Sequence, residues 1–240
     1  MKMQYLVIVP TYNEAQNITN LVEKLLALGE QLDVLVVDDN SPDGTGRAAE
    51  LLSQKNPGRV FVLHRSGKLG LGTAYRDGFQ LALEKGYEQL VTMDADFSHP
   101  PEVIPLMIEK LSEAGMVIGS RYVSGGRIEN WPFMRKINSR AANFLARLLM
   151  RLKARDCTGA FRAYRAEYLK KVPMDKLMAR GYSGLLEVLY YLQKAGSRII
   201  EIPIIFINRQ EGKSKISSRE VREALKIVFY YWWHRPELSA

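Results

Sequence analysis

The sequence predicts an α/β fold on a mostly parallel sheet with flanking helices. Three observations carry this: β-branched runs alternate with amphipathic helical stretches over the first 120 residues, the connections between them are short, and two of the runs end in paired acids. Asp38-Asp39 closes Val34-Leu35-Val36-Val37, and Asp94-Ala95-Asp96 closes Leu90-Val91-Thr92-Met93. Strand ends of an open parallel sheet face the ligand crevice, so both acid pairs should look into one cleft. Alternate residues of an extended backbone point the same way, which places Asp94 and Asp96 side by side as ligands for a hard cation carried by a diphosphate. The pattern points to chemistry on a nucleotide diphosphate.

Taken in order, strands are expected at 5–10, 33–38, 60–64, 89–94 and 116–121, with helices at 15–28, 45–54, 72–85 and 101–114 between them. The spacing of Leu21, Leu25 and Leu28 supports the first helix, and Pro100-Pro101 marks the start of the fourth. Beyond Arg121 the alternation stops. Residues 124–132, containing Gly125-Gly126, read as a mobile loop, and 135–153 as a helix with Ile137, Ala141, Phe144, Leu145, Leu148 and Leu152 on its apolar face. Residues 135–155 hold seven Lys or Arg and no acid, which suits either a core-packed helix with a solvated basic face or a basic amphipathic helix on an anionic membrane. A second such segment is 218–233, where Arg219, Arg222 and Lys226 precede Phe229-Tyr230-Tyr231-Trp232-Trp233, and it carries the same pair of readings.

At 240 residues and 47% hydrophobic, the chain is expected to form one domain. Its net charge of +8 is unevenly divided: residues 1–120 carry 10 basic and 16 acidic side chains, residues 121–240 carry 24 and 10. A basic half fits nucleic acid, an anionic membrane or a phosphorylated substrate. The absence of a zinc-ligand set or an RNA-binding aromatic signature, together with the acidic first half, argues against nucleic acid. The single Cys157 excludes an internal disulfide and fits a reducing compartment. Residues 1–4 lead into a strand without a signal-peptide pattern, and the apolar run 227–233 is far shorter than the roughly 20 residues of a spanning helix. The expectation is a cytoplasmic protein, soluble or peripheral on the cytosolic face of a membrane.

Within the motif Pro10-Thr11-Tyr12-Asn13-Glu14, Tyr12 and Glu14 should sit over the crevice, unless the segment is merely a helix entry capped by Asn13. Asp39, in the run Asp38 to Thr45, either accepts from a ribose or base or belongs to a capping turn. The glycine-rich run from His64 to Thr73 lacks the order of a phosphate loop, although Lys68 remains a nucleotide contact. His64, His99 and His234 show no metal-ligand spacing and read as structural.

Together these motifs, with Gly119-Ser120-Arg121-Tyr122, resemble the inverting GT-A glycosyltransferases of family 2. The segments 64–75, 94–101, 125–135 and 156–162, with the closing Arg209-x-x-Gly212-x-Ser214-Lys215, narrow the resemblance to dolichol-phosphate (polyprenol-phosphate) mannose synthases. The match runs from Pro10 to about Lys215. It implies a GT-A, Rossmann-like domain over 1–240, with a nucleotide-sugar half at 1–120, an acceptor half at 121–216 and a C-terminal amphipathic helix at 217–240. It also implies a GDP-mannose donor, a dolichyl or polyprenyl phosphate acceptor and a divalent cation, Mg²⁺ or Mn²⁺. Donor contacts carry over to Pro10, Tyr12, Glu14, Val37, Asp39, Lys68, Asp94, Ala95, Asp96, Arg121, Arg209 and Lys215. Metal contacts fall to Asp94 and Asp96, with Ser98 standing where some relatives place a Gln ligand. Acceptor phosphate contacts fall to Arg121, Arg135 and Ser139, and the catalytic set is Asp94, Asp96, Arg121, Arg209 and Lys215. The chain is similar to the short members that lack transmembrane helices and reach the membrane by surface helices or a small membrane-protein partner.

Chemistry agrees with that implication. A phosphate monoester is ionised at neutral pH, since its second pKa is about 6, and attacks an anomeric carbon without a general base. The protein's task is then to hold two anions in line, with the cation and Arg209 and Lys215 countering charge on the leaving diphosphate. Attack opposite that group turns an α-linked donor into a β-linked product. Two rival readings are a UDP-glucose-dependent enzyme making polyprenyl-phosphate glucose and a non-catalytic nucleotide-sugar or lipid-phosphate binding subunit.

Overall fold

A computed structural model describes residues 4–208 and 218–238. The first half follows the expected alternation: β1 (Tyr5–Thr11), α1 (Ala15–Leu26), β2 (Leu32–Asp38), α2 (Thr45–Lys55), β3 (Val60–His64), α3 (Leu71–Glu84) and β4 (Gln89–Thr92). A 3₁₀ turn at Pro101–Val103 leads into α4 (Ile104–Lys110), which is shorter than expected, and β5 (Met116–Ser120) follows.

The sheet order is β3-β2-β1-β4-β7-β5-β8, where β7 is Arg162–Arg165 and β8 is Ile199–Pro203. β7 alone runs against its neighbours, wedged antiparallel between β4 and β5. β1 and β2 are buried almost throughout because helices cover both faces of the sheet. Their side chains divide by the two-residue period: Leu6 and Ile8 enter one core, Tyr5, Val7 and Val9 the other.

The second half holds more regular structure than its sequence suggests. The expected mobile loop contains β6 (Arg127–Glu129), which pairs in parallel with β9 (Ile205–Ile207), so its backbone is tied down by a ladder. α5 (Phe133–Met150) is followed by a short α6 (Ala166–Leu169), α7 (Gly184–Lys194) and α8 (Ser218–His234).

The face by which α5 packs also differs from the expectation. Asn143, Ala146 and Met150 are its buried residues, whereas Ile137, Phe144 and Leu148 are 40%, 65% and 61% exposed. Of the expected apolar face, Leu152, just past the helix, is buried and Leu145 is partly buried. α8 buries Ile227, Val228 and Tyr231 and exposes Val221, Leu225, Phe229, Trp232 and Trp233. The two helices pack against one another, and each leaves an apolar stripe uncovered. No helix among the described residues is long and apolar enough to cross a membrane.

Candidate active site

The C-terminal ends of β1, β2 and β4 open onto a cleft of about 880 Å³. Pro10, Tyr12, Glu14, Asp39, Lys68, Asp94, Ala95 and Asp96, among the residues expected to contact a donor, all line it. The wall opposite comes from later in the chain: residues 177–182, with Glu220 and Glu223 of α8. The cleft is therefore lined from both halves of the chain. Arg209 and Lys215 lie outside the described residues.

The two adjacent acids of β2 have separate tasks. Asp38 is buried and takes hydrogen bonds from Thr11 Oγ1 (2.9 Å) and the Ser41 amide (3.0 Å), closing its own turn. Asp39 faces the cleft and is met by the Arg65 guanidinium and by the amides of Leu69 (3.1 Å) and Gly70 (3.3 Å). Lys68 lies over the Tyr12 ring, 4.3 Å from its centroid. The expected Asn13 cap is not used: Asn13 is left-handed (φ 56°) and Glu14 takes the cap position. The start of α1 is satisfied from the neighbouring loop, with the Ala15 amide on Asp43 (3.0 Å) and the Glu14 amide on Thr45 Oγ1 (2.9 Å).

Val37 does not reach the cleft. Its side chain is fully buried in the core that contains Leu6 and Ile8, packed beneath Gly78 of α3, and Asp39 lies just past the end of β2. Whatever Val37 offers a ligand comes from its backbone.

Around the Asp94-x-Asp96 turn, Ser98 donates its amide (3.1 Å) and its hydroxyl (2.6 Å) to Asp96 Oδ1, so it orients that carboxylate. Phe97 between them is left-handed (φ 57°), a conformation costly for a bulky residue and concentrated at functional turns. His99, read from sequence as merely structural, accepts the Asp94 amide on Nδ1 (3.1 Å) and stacks on Phe161, which fixes the turn from beneath. Burial pushes its pKa down to about 4 despite the nearby Asp96 charge. Because this lies below the unfolded value of about 6.5, the unfolded chain takes up the proton first, and the stability tied to neutral His99 is present above pH 6.5 and lost towards pH 4. Urea midpoints of the metal-free protein are expected to fall as the pH drops across that window, and to fall less in His99→Asn.

Seven carboxylates and four cationic side chains line the described cleft, and Arg65 is already paired with Asp39 and Asp77. A diphosphate entering so acidic a space needs a cation between it and the acids. Asp94 and Asp96 would be the one or two carboxylates that Mg²⁺ or Mn²⁺ takes when phosphate oxygens and water complete its shell, so the residues present fit such an ion. When bound, such an ion supplies charge neutralisation at the leaving diphosphate.

The expected acceptor residues form a second cluster. Arg121 is 8% exposed and does not line the cleft. A guanidinium so buried requires a counterion, and its Nε (2.7 Å) and Nη2 (2.6 Å) clasp the fully buried Asp156, while Nη2 also reaches Thr158 (3.0 Å). Burial opposes ionisation of Asp156, but the Arg121 charge and hydrogen bonds outweigh it and hold its pKa below the usual carboxylate range. Arg121 thus braces this part of the site through Asp156. Ser139 accepts the Tyr122 hydroxyl (2.7 Å), and Arg135 lies over Trp131 (4.0 Å) and donates to Asn208 (3.1 Å). Phe206 packs edge-on against both His99 and Trp131, so a chain of rings joins the acidic turn to Arg135.

The cleft lies where an open, mostly parallel α/β sheet binds its ligands, outside the carboxyl ends of its strands. The sequence profile of glycosyl transferase family 2 matches residues 6–173, and the chain belongs to that family. It is 44% identical over 223 residues to an undecaprenyl-phosphate mannosyltransferase of Micrococcus luteus, covering 93% of this chain and 91% of that one. It is 42% identical to a polyprenol monophosphomannose synthase of Mycolicibacterium smegmatis, covering 92% and 83%. A dolichol-phosphate mannosyltransferase of Pyrococcus furiosus is 37% identical, and the match spans 63% of its length. Among solved structures, glucosyl-3-phosphoglycerate synthase from Mycobacterium tuberculosis, in complex with Mn²⁺, UDP and glucosyl-3-phosphoglycerate, aligns over the whole chain with a TM-score of 0.67 and 17% identity. The same enzyme with Mg²⁺ and UDP gives 0.70 at 18%, a likeness of fold alone.

Proposed function

We propose that this protein transfers mannose from GDP-mannose to a polyprenyl or dolichyl phosphate, giving the β-linked lipid phosphosugar and GDP. The observation that carries this reading is the placement of Arg135. It stands at the start of α5 beside Phe133 and Met134, which are 74% and 62% exposed, and the ring chain through Trp131, Phe206 and His99 leads from it to the Asp94-x-Asp96 turn. A cation next to an uncovered apolar turn suits a phosphate with a hydrocarbon tail. Mannose is the sugar named in the three relatives at 37–44% identity.

In this reading Tyr12, Glu14, Lys68 and Asp39 hold the nucleoside, Asp94 and Asp96 hold the cation with the diphosphate, and Arg209 and Lys215 add positive charge. Arg135 and Ser139 grip the acceptor phosphate. The ionised acceptor needs no base, so the protein binds and aligns. The exposed stripes of α5 and α8, with Arg140 and Arg147 exposed on the former, rest on an anionic membrane surface on the cytosolic side. The domain plan of a donor half, an acceptor half and a surface helix belongs to the same proposal.

Two measurements test it. In calorimetry with Mn²⁺, GDP is expected to bind more tightly than UDP, and the reverse order would move the donor to a uridine sugar. Arg135→Ala is expected to raise the acceptor KM about tenfold while leaving the GDP-mannose KM nearly unchanged, as loss of a charge-assisted phosphate contact does. An unchanged acceptor KM would remove Arg135 from the acceptor site.

A further inference from the structure

Glu187 of α7 is fully buried, yet neither the donor nor the acceptor assignment uses it. Its carboxylate accepts three hydrogen bonds: the amides of Met178 (3.0 Å) and Ala179 (2.8 Å), and the hydroxyl of Tyr231 on α8 (2.8 Å). Tyr231 is itself 1% exposed and packs edge-on against Tyr190 and Tyr191. Met178 and Ala179 belong to the segment 177–182 that walls the cleft.

That segment in turn backs the glycine-rich run. The Gly72 amide donates to the Arg180 carbonyl (2.8 Å). A Cβ on Gly70 would stand 2.4 Å from that carbonyl oxygen, and one on Gly72 would stand 2.7 Å from the oxygen of Gly181 and 2.8 Å from that of Ala179. The glycines are thus required by close backbone approach, and a left-handed φ of 107° adds to the demand at Gly70. The amides of Leu69 and Gly70 then point at Asp39. An unbroken set of contacts runs from α8 through Glu187 and residues 178–181 to the glycine-rich turn and Asp39.

We infer that Glu187, locked by Tyr231, is a positioning residue for the nucleotide end of the donor: it sets the 177–182 wall, and through the glycine-rich turn the place of Asp39. The inference rests on the reading of this cleft as the donor site. The link to α8 is the Tyr231 hydroxyl itself and not the packing of that helix's inner face.

Tyr231→Phe removes the hydroxyl alone and keeps the ring packing. Glu187→Gln keeps the shape but turns an amide N–H towards the Ala179 amide, and Val228→Ala loosens the inner face of α8 without touching Glu187. For each full-length variant, KM would be measured separately for GDP-mannose and for polyprenyl phosphate. Tyr231→Phe and Glu187→Gln are expected to raise the GDP-mannose KM about fivefold to tenfold, as loss of a buried hydrogen bond does, with the acceptor KM unchanged. Val228→Ala should leave both constants near wild type. Flat donor constants in the first two variants, equal shifts for both substrates, or an equal donor shift in Val228→Ala would overturn the inference. A wild-type protein that GDP-mannose does not saturate would instead overturn the donor reading beneath it.

Discussion

Asp96→Ala is expected to lower turnover by about a thousandfold or more at saturating metal, because a divalent cation at a departing diphosphate contributes several kcal/mol to the transition state. Asp96 is the best-prepared carboxylate of the cleft. It is buried, it lies four residues past the end of β4, and Ser98 fixes its Oδ1 with two hydrogen bonds while Phe97 accepts a left-handed backbone to make the turn. Alanine leaves the Ser98 donors without their acceptor and, on the proposed metal role, removes a ligand of the cation. Manganese paramagnetic resonance on the variant gives a readout independent of turnover: weakened Mn²⁺ binding in the presence of GDP is expected alongside lost activity. Near-full activity at high Mn²⁺ would remove Asp96 from the metal site.

The largest effect on stability is expected from Asp156→Ala. Asp156 receives the Arg121 backbone amide as well as two guanidinium bonds, and its Oδ1 also accepts the Gly159 amide. Removing it strands a buried cation among Tyr122, Trp131 and Phe206. Breaking such a pair by deleting one partner costs about 3–5 kcal/mol, whereas replacing both partners by apolar residues of similar size is often nearly neutral. Asp156→Ala should therefore lower the urea midpoint sharply, and Arg121→Met with Asp156→Leu should recover much of the loss in stability while leaving activity impaired. Equal destabilisation by the single and double changes would show that packing, not the unpaired charge, sets the cost.

How much of this was legible in the sequence varied along the chain for physical reasons. The first half read closely because parallel strands buried on both faces are near-continuous apolar runs, and Asp38-Asp39 and Asp94-x-Asp96 mark their ends. In the second half, β7 is the four-residue Arg-Ala-Tyr-Arg, with a fully buried Arg162 whose guanidinium is satisfied by the carbonyls of Cys157, Gly159 and Leu185. No alternation announces such a strand. α7 is buried nearly all round, so it shows little amphipathic contrast beyond its ends. On α5 apolar residues occupy almost every side, and the polar Asn143 faces inward because it caps the turn at Cys157 and Thr158. That inverted the expected face.

The site divides in the same way. Residues on strand ends, from Tyr12 to Asp96, were legible because position on a strand decides exposure to the cleft. The pairing of Arg121 with Asp156 was not, since the two lie 35 residues apart and the turn around Asp156 has no pattern of its own. Glu187 carried no signal either: a lone acid in an apolar helix gains its meaning from backbone amides eight and nine residues earlier.

The most direct test is to incubate the purified protein and Mn²⁺ with labelled GDP-mannose and a polyprenyl phosphate, run labelled UDP-glucose in parallel, and count label in the organic phase. Lipid-linked mannose from GDP-mannose alone is the expected result. Label from UDP-glucose, with none from GDP-mannose, would contradict the assignment and move the protein to the sister activity.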